Sequence, residues 1–239
     1  MIAHPSAPDP QPIGAPLPHW RPPSRPGHAP MHGSHAALEP LTSAHADALW
    51  RAFSRDVRGS IWTYLPDGPF AGPDAFAALV DARTASVDPM FFAVMRDARA
   101  CGMAAFLRID AANGCIEIGH LAFAPELQRT PAATEALHLM LAHAFALGYR
   151  RVEWKCNALN APSRRAATRL GFTYEGTFRQ AAVVKGHNRD TAWYSMLDHE
   201  WPTIQAAHLR WLDPANFGTD GGQVLALSAL TARVPEALP

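Results

Sequence analysis

The chain has 239 residues, 48% of them hydrophobic, and its 21 basic and 21 acidic side chains leave a formal charge of zero. That balance lacks the basic excess of nucleic-acid or membrane-surface binders, so neither partner is expected. No run of about 18 apolar residues spans a bilayer, and the first residues lack the apolar run of a secretory leader. Cys101, Cys115 and Cys156 show no CxxC spacing. Reduced thiols in a cytoplasmic protein are therefore expected, with no metal site.

Residues 1–40 hold eleven of the 22 prolines and five of the 12 histidines. Proline removes backbone donors, and few apolar groups offset the entropy of ordering, so 1–34 reads as a flexible extension. From Leu38 an α/β (α+β) pattern begins. A strand is predicted over 38–41, then a helix capped by Thr42 or Ser43 and running to about Phe53. Trp62 and Tyr64 lie in an aromatic loop, and Pro73-Asp74 opens a second helix to about Ala82. Runs 90–96 and 101–109 form a predicted hairpin. Asn113-Gly114 is a turn into a strand ending at Phe123. Beyond Pro125 the period changes from two to 3.6, giving a helix that starts at Pro131 and stops at Gly148. A strand over 151–156, a helix over 163–170, and two strands flanking a turn at 185–190 follow. A helix over 204–212 precedes a weakly patterned tail, so the organisation predicted is 1–34, 35–202 and 203–239.

The stretch from Glu117 to Phe172 carries the chemistry. A strand runs through a short turn straight into a helix whose first residues are small, Pro131-Ala-Ala-Thr134. Free N–H groups at such a helix start form an anion site. Gln128-x-x-Pro131-x-Ala133 resembles the pyrophosphate loop of the GNAT acyltransferase superfamily. Asn160-Ala-Pro-Ser163 with Arg169-Leu-Gly171-Phe172 resembles its second cofactor motif. Glu175-Gly-Thr-Phe-Arg179, Asn188-Arg-Asp190 and Glu200-Trp-Pro202 are similar to the C-terminal signature of the RimJ/RimL-like branch, as is Leu38-Glu-Pro-Leu41 with His45. The similarity covers roughly residues 36–202. It departs from the pattern at Pro131, which replaces a loop glycine, and at Ala167, where many members carry a tyrosine acid.

The resemblance implies a mixed, mostly antiparallel sheet flanked by helices, with a splayed parallel strand pair for acetyl-CoA. Leu121 and Phe123 would pair with the pantetheine arm. Gln128, Arg129, Thr130, Ala132, Ala133 and Thr134 would hold the pyrophosphate, and Asn160 and Ser163 would add cofactor contacts. Glu117, eleven residues before Gln128, would be the base; His120 is the rival. Simple alternation turns His120 to the opposite face unless a bulge intervenes. Ser163 or a water would protonate the leaving thiolate, or the thiolate would leave unprotonated, and Trp62 and Tyr64 would line the acceptor pocket. The expected partners are acetyl-CoA and a primary amine, either a protein N-terminal α-amine or a small amine, acting on a monomer or homodimer. A non-catalytic acyl-CoA-binding or interaction module is the alternative.

Overall fold

The computed structural model describes residues 13–219 and 221–232. The strands all join one eight-stranded sheet. They are β1 (Met31–His32), β2 (Ala37–Pro40), β3 (Met90–Arg96), β4 (Arg99–Asp110), β5 (Cys115–Phe123), β6 (Arg151–Asn157), β7 (Thr173–Val184) and β8 (His187–Leu197). Their spatial order is β1-β2-β3-β4-β5-β6-β8-β7, and every pair is antiparallel except β5–β6.

Two helices, α1 (Ala46–Phe53) and α2 (Pro73–Thr84), cover one face of the sheet over its first strands. Phe53, Trp62, Phe70 and Phe76 interlock there edge to face. The other face carries α3 (Pro131–Ala146) and α4 (Ala161–Arg169). Helix α3 is apolar nearly all round, and the reason is a further layer: α5 (Trp201–Leu212) packs outside it, with Trp201 stacked on Phe145. The same contact buries a histidine pair. His208 Nε2–H donates to the Leu170 carbonyl at 2.9 Å, which leaves its Nδ1 to accept from His138 at 3.4 Å. Burial pushes His208 down to about 4.

Three expectations change. The reading of 1–34 as a flexible extension does not hold for its second half. Met31–His32 is an edge strand, Pro26 is buried, and Trp20 lies against Gly114 and the Arg150 guanidinium. The fastening is Glu135 on α3, whose carboxylate accepts the amides of Ser34, His35 and Ala36 at 2.9, 2.5 and 2.7 Å. Gly33 permits that approach, since a Cβ there would lie 2.3 Å from the Glu135 side chain. Residues 1–12, with His4, fall outside the described residues.

The turn expected over 185–190 is only two residues long. Lys185 and Gly186 both take positive φ, +49° and +76°, and Val184 pairs directly with His187. Asn188-Arg-Asp190 is therefore strand. Finally, the weakly patterned tail continues as structure. A short helix, α6 (Leu227–Thr231), buries Leu227, and the Asn216 side chain ties the Trp211 and Leu225 backbones together. Residues 233–239 fall outside the described residues.

Candidate functional site

Strands β5 and β6 pair only from Cys115 to Glu117 against Arg151 to Glu153. Beyond Glu117 they part. The Ala124 amide points at Cys101 on β4, so strand alternation turns the amides of Phe123 and Leu121 to the open side. The gap is thus lined along β5 by backbone groups with no strand to pair.

At the far end of that gap stands the start of α3. Thr130 is its N-cap and accepts from Ala133 at 3.2 Å. Arg129 holds φ +61°, which turns the chain into the helix. The Thr134 amide reaches the Thr130 carbonyl at 3.4 Å, and its hydroxyl accepts from Arg169 at 2.6 Å. The amides of Arg129, Thr130 and Ala132 have no acceptor among the described residues, which leaves them and the helix dipole facing outward. Gln128 folds back and donates to the Phe123 carbonyl at 2.8 Å.

Around the point where the strands part, the sheet face opposite α3 is charged. Glu117, only 3% exposed, accepts from Arg108 at 2.7 Å and Lys155 at 3.1 Å, both on Oε2. Lys155 also meets Glu153 at 2.6 Å and lies 3.8 Å over the Trp193 ring. Arg151 joins Glu153 to Glu175, with which it makes two bonds of 2.7 and 2.5 Å. Burial pushes the Glu117 carboxyl up, while Lys155 and Arg108 hold it back. Its Oε1 points toward Gly119, where an added Cβ would come within 3.3 Å.

The arrangement matches known proteins closely. A family model, the GNAT acetyltransferase domain, covers residues 36–173. The chain belongs to that family. A GCN5-related N-acetyltransferase from Brucella melitensis is 45% identical, with a TM-score of 0.88 over 90% of this chain and 99% of that one. A GNAT-family structure from Chromobacterium violaceum is 44% identical, with a TM-score of 0.74 over 82% of this chain and 100% of that one. YdaF of Bacillus subtilis (strain 168), a candidate ribosomal N-acetyltransferase, is 32% identical over 109 residues. That match spans 45% of this chain and 59% of the relative.

Within this GNAT fold the residues singled out in the sequence fall into three groups. Glu117, Leu121, Phe123 and the 128–133 turn border the splay itself, whereas Thr134, expected to bind the pyrophosphate, is buried with its amide on the Thr130 carbonyl and its hydroxyl on Arg169. Asn160 caps α4 through the Ser163 amide at 3.1 Å, and the Ser163 hydroxyl accepts from Trp154 Nε1–H at 3.0 Å. They stand on the α3–α4 side of the sheet, across from Glu117. Trp62 is packed inside the aromatic cluster, whereas Tyr64 reaches over the cleft to donate to the Leu159 carbonyl at 3.2 Å.

His120 departs from simple alternation. The β4–β5 register shifts between Ala105–Gly119 and Met103–Ala122, so His120 and Leu121 together face one residue. His120 takes φ +50° and its ring meets Phe91 at 5.2 Å, which brings it onto the Glu117 face. Burial, then the nearby Arg83 charge, pushes it down to about 4.

Sequence reasoning missed Arg108, Lys155 and Lys185 as parts of the site. A signal existed: Lys155 and Lys185 are the chain's only lysines. Lys185 donates to the carbonyls of Trp62 and Asp67 at 2.7 and 2.9 Å, tying the β7–β8 hairpin to the aromatic loop over the cleft.

Proposed function

We propose that the chain transfers the acetyl group of acetyl-CoA to a primary amine, either a protein N-terminal α-amine or a small amine, with Glu117 as general base. One observation supports this most: the parallel pair opens immediately after Glu117, and its open side leads to the unpartnered amides at the start of α3. A pantetheine arm fits the backbone groups of Leu121 and Phe123, and a pyrophosphate fits Arg129 to Ala132.

An alkyl amine is largely protonated at neutral pH and must lose a proton to attack. Glu117 takes it through Oε1, directly or through one water. Burial moves Glu117 up toward neutral pH and His120 down away from it, which favours the carboxylate. The amine nitrogen then adds to the thioester carbonyl, and cleft-facing amides stabilise the oxyanion. Collapse expels the thiolate, and the Ser163 hydroxyl or a water supplies its proton.

A non-catalytic acyl-CoA-binding module is the second reading, favoured by Ala167, fully buried where many members carry a tyrosine. Release of free CoA thiol from acetyl-CoA, screened against amines and N-terminal peptides, separates the two. Amine-dependent release supports the enzyme. CoA binding without it supports the module, and no binding at millimolar CoA contradicts both.

A further inference from the structure

Almost every cation around the parting strands has a carboxylate. Arg108, Lys155 and Arg151 are matched by Glu117, Glu153 and Glu175, and Arg83 by Asp67 at 2.5 Å. Lys185 is satisfied by two carbonyls. Arg189, like Arg129 at the α3 end, has no carboxylate partner among the described residues, and the Nε of Arg189 is buried without a hydrogen-bond partner. The neighbouring Asp190 carboxylate is turned away, accepting from the Gln180 amide and Asn188.

Its place in the fold is informative. Strand β8 pairs with β6 as far as Thr191–Asn157, and the Asp190 carbonyl accepts from Ala158 as β6 turns off toward α4. Arg189 thus sits just past the end of β6, beside the cleft. By strand alternation its side chain shares a face of β8 with Thr191, which pairs with Asn157, and Trp193, which pairs with Lys155. On the same face of β8, Trp193 has an indole N–H that is also buried and unpartnered, as is His120 Nδ1 on β5. A partly buried guanidinium without a counter-charge is costly, and unmade donors beside it add to that cost.

We infer that Arg189 is a substrate-specificity residue whose guanidinium binds a carboxylate on the acceptor, so that the preferred acceptor is an amine carrying a carboxylate. This rests on the acetyl-transfer reading above and names the acceptor class for it. The Trp193 N–H is the second donor available to the same anion. A neutral amine leaves both unmatched.

The test compares ω-amino acids of increasing length (glycine, β-alanine, γ-aminobutyrate) with their ω-amino amides, by kcat/KM for thiol release. The free acids should be preferred at one length, through KM more than kcat. Arg189→Met should cut that acid-to-amide ratio by about ten- to hundredfold, the range for losing a charge-assisted hydrogen bond. Arg189→Lys should restore part of it, and Trp193→Phe should lower it less. Equal rates for acids and amides, or a ratio unchanged in Arg189→Met, overturns the assignment while leaving acetyl transfer intact. If no amine is turned over, acetyl transfer fails instead, and thermal-shift titration of N-acetylglycine on the CoA-loaded protein decides the carboxylate site. Stabilisation lost in both Arg189→Met and Arg189→Lys, or in the former alone, supports it; no stabilisation of the wild type overturns it.

Discussion

Strands β5, β6 and β8 carry different chemistry on their two faces. Toward α3 and α4 they present Ile116, Ile118, Val152, Trp154, Tyr194 and Met196, all nearly or fully buried. On the opposite face the same strands present Glu117, Glu153, Lys155 and Trp193, joined in ion pairs and a cation–π contact. The dry face stabilises the fold, because apolar burial dominates folding and its cost of disruption is a cavity. The charged face contributes little net stability, since desolvation offsets much of the attraction. Groups kept there despite that cost are candidates for chemistry. The same backbone thus holds a scaffold on one side and, on the function proposed above, the reaction site on the other.

Breaking the dry face should give the largest effect on stability. Ile116→Ala should lower unfolding free energy by about 2–5 kcal/mol, as buried Ile truncations do. Chemical denaturation would check this, and a loss below about 1 kcal/mol would mean the face is loosely packed.

The fastening of the N-terminal segment to α3 comes next. Deleting residues 1–34 removes β1, the Trp20 contact and the Ser34 donor to Glu135. A buried group that loses a partner costs about 1–3 kcal/mol, so melting should drop by about 2–12 °C for a domain of this size. An unchanged melting temperature would show that the segment merely rests on the surface.

The histidine pair between α3 and α5 sharpens the contrast through pH. Burial depresses His208 to about 4, and His138 is depressed by the same cause. The unfolded histidines bind protons near the reference value of about 6.5, the folded ones do not. Stability from this pair is therefore fully present above about pH 6.5 and is lost as pH falls toward 4. The slope of melting temperature against pH should flatten in His208→Gln, whose amide still reaches the Leu170 carbonyl. An identical slope would assign the acid sensitivity elsewhere.

The smallest effect belongs to the helix start. Pro131→Gly restores an N–H beside the unpartnered amides, so CoA affinity should stay level or rise by less than about tenfold, the net worth of one hydrogen bond. Calorimetric titration would read it, and a clear loss of affinity would mean that the fixed φ of proline shapes the site.

The scaffold was legible in the residues, and the site only in part. The β-rich run 90–96 and the helical segment between Pro131 and Gly148 set elements that recur in the structure with little change at their ends. The parallel pair followed from the resemblance rather than from alternation. What escaped was non-local. The bulge that turns His120 onto the Glu117 face lies in the β4–β5 register, which no single strand encodes. Proline-rich composition hid the docking of Trp20 and Met31, because the partner holding that segment, Glu135, lies on α3, 100 residues from His35. The turn at Lys185 was masked by Asn188 and Asp190, residues that favour turns but here bond each other within a strand. Lys155 drew no attention as a member of the 151–156 strand, because Glu117, which pairs with it, comes from a different strand.

The central claim is that the charged face does the chemistry, with Glu117 as its base. Measuring kcat/KM of Glu117→Gln against wild type from about pH 6 to 9 tests it most directly, because the amide keeps the shape but cannot take a proton. The variant should lose about 10²–10⁴-fold near neutral pH. The gap should narrow as pH rises and free amine appears without help, while CoA affinity stays near wild type. A Glu117→Gln protein with wild-type kcat/KM across that range would contradict the claim.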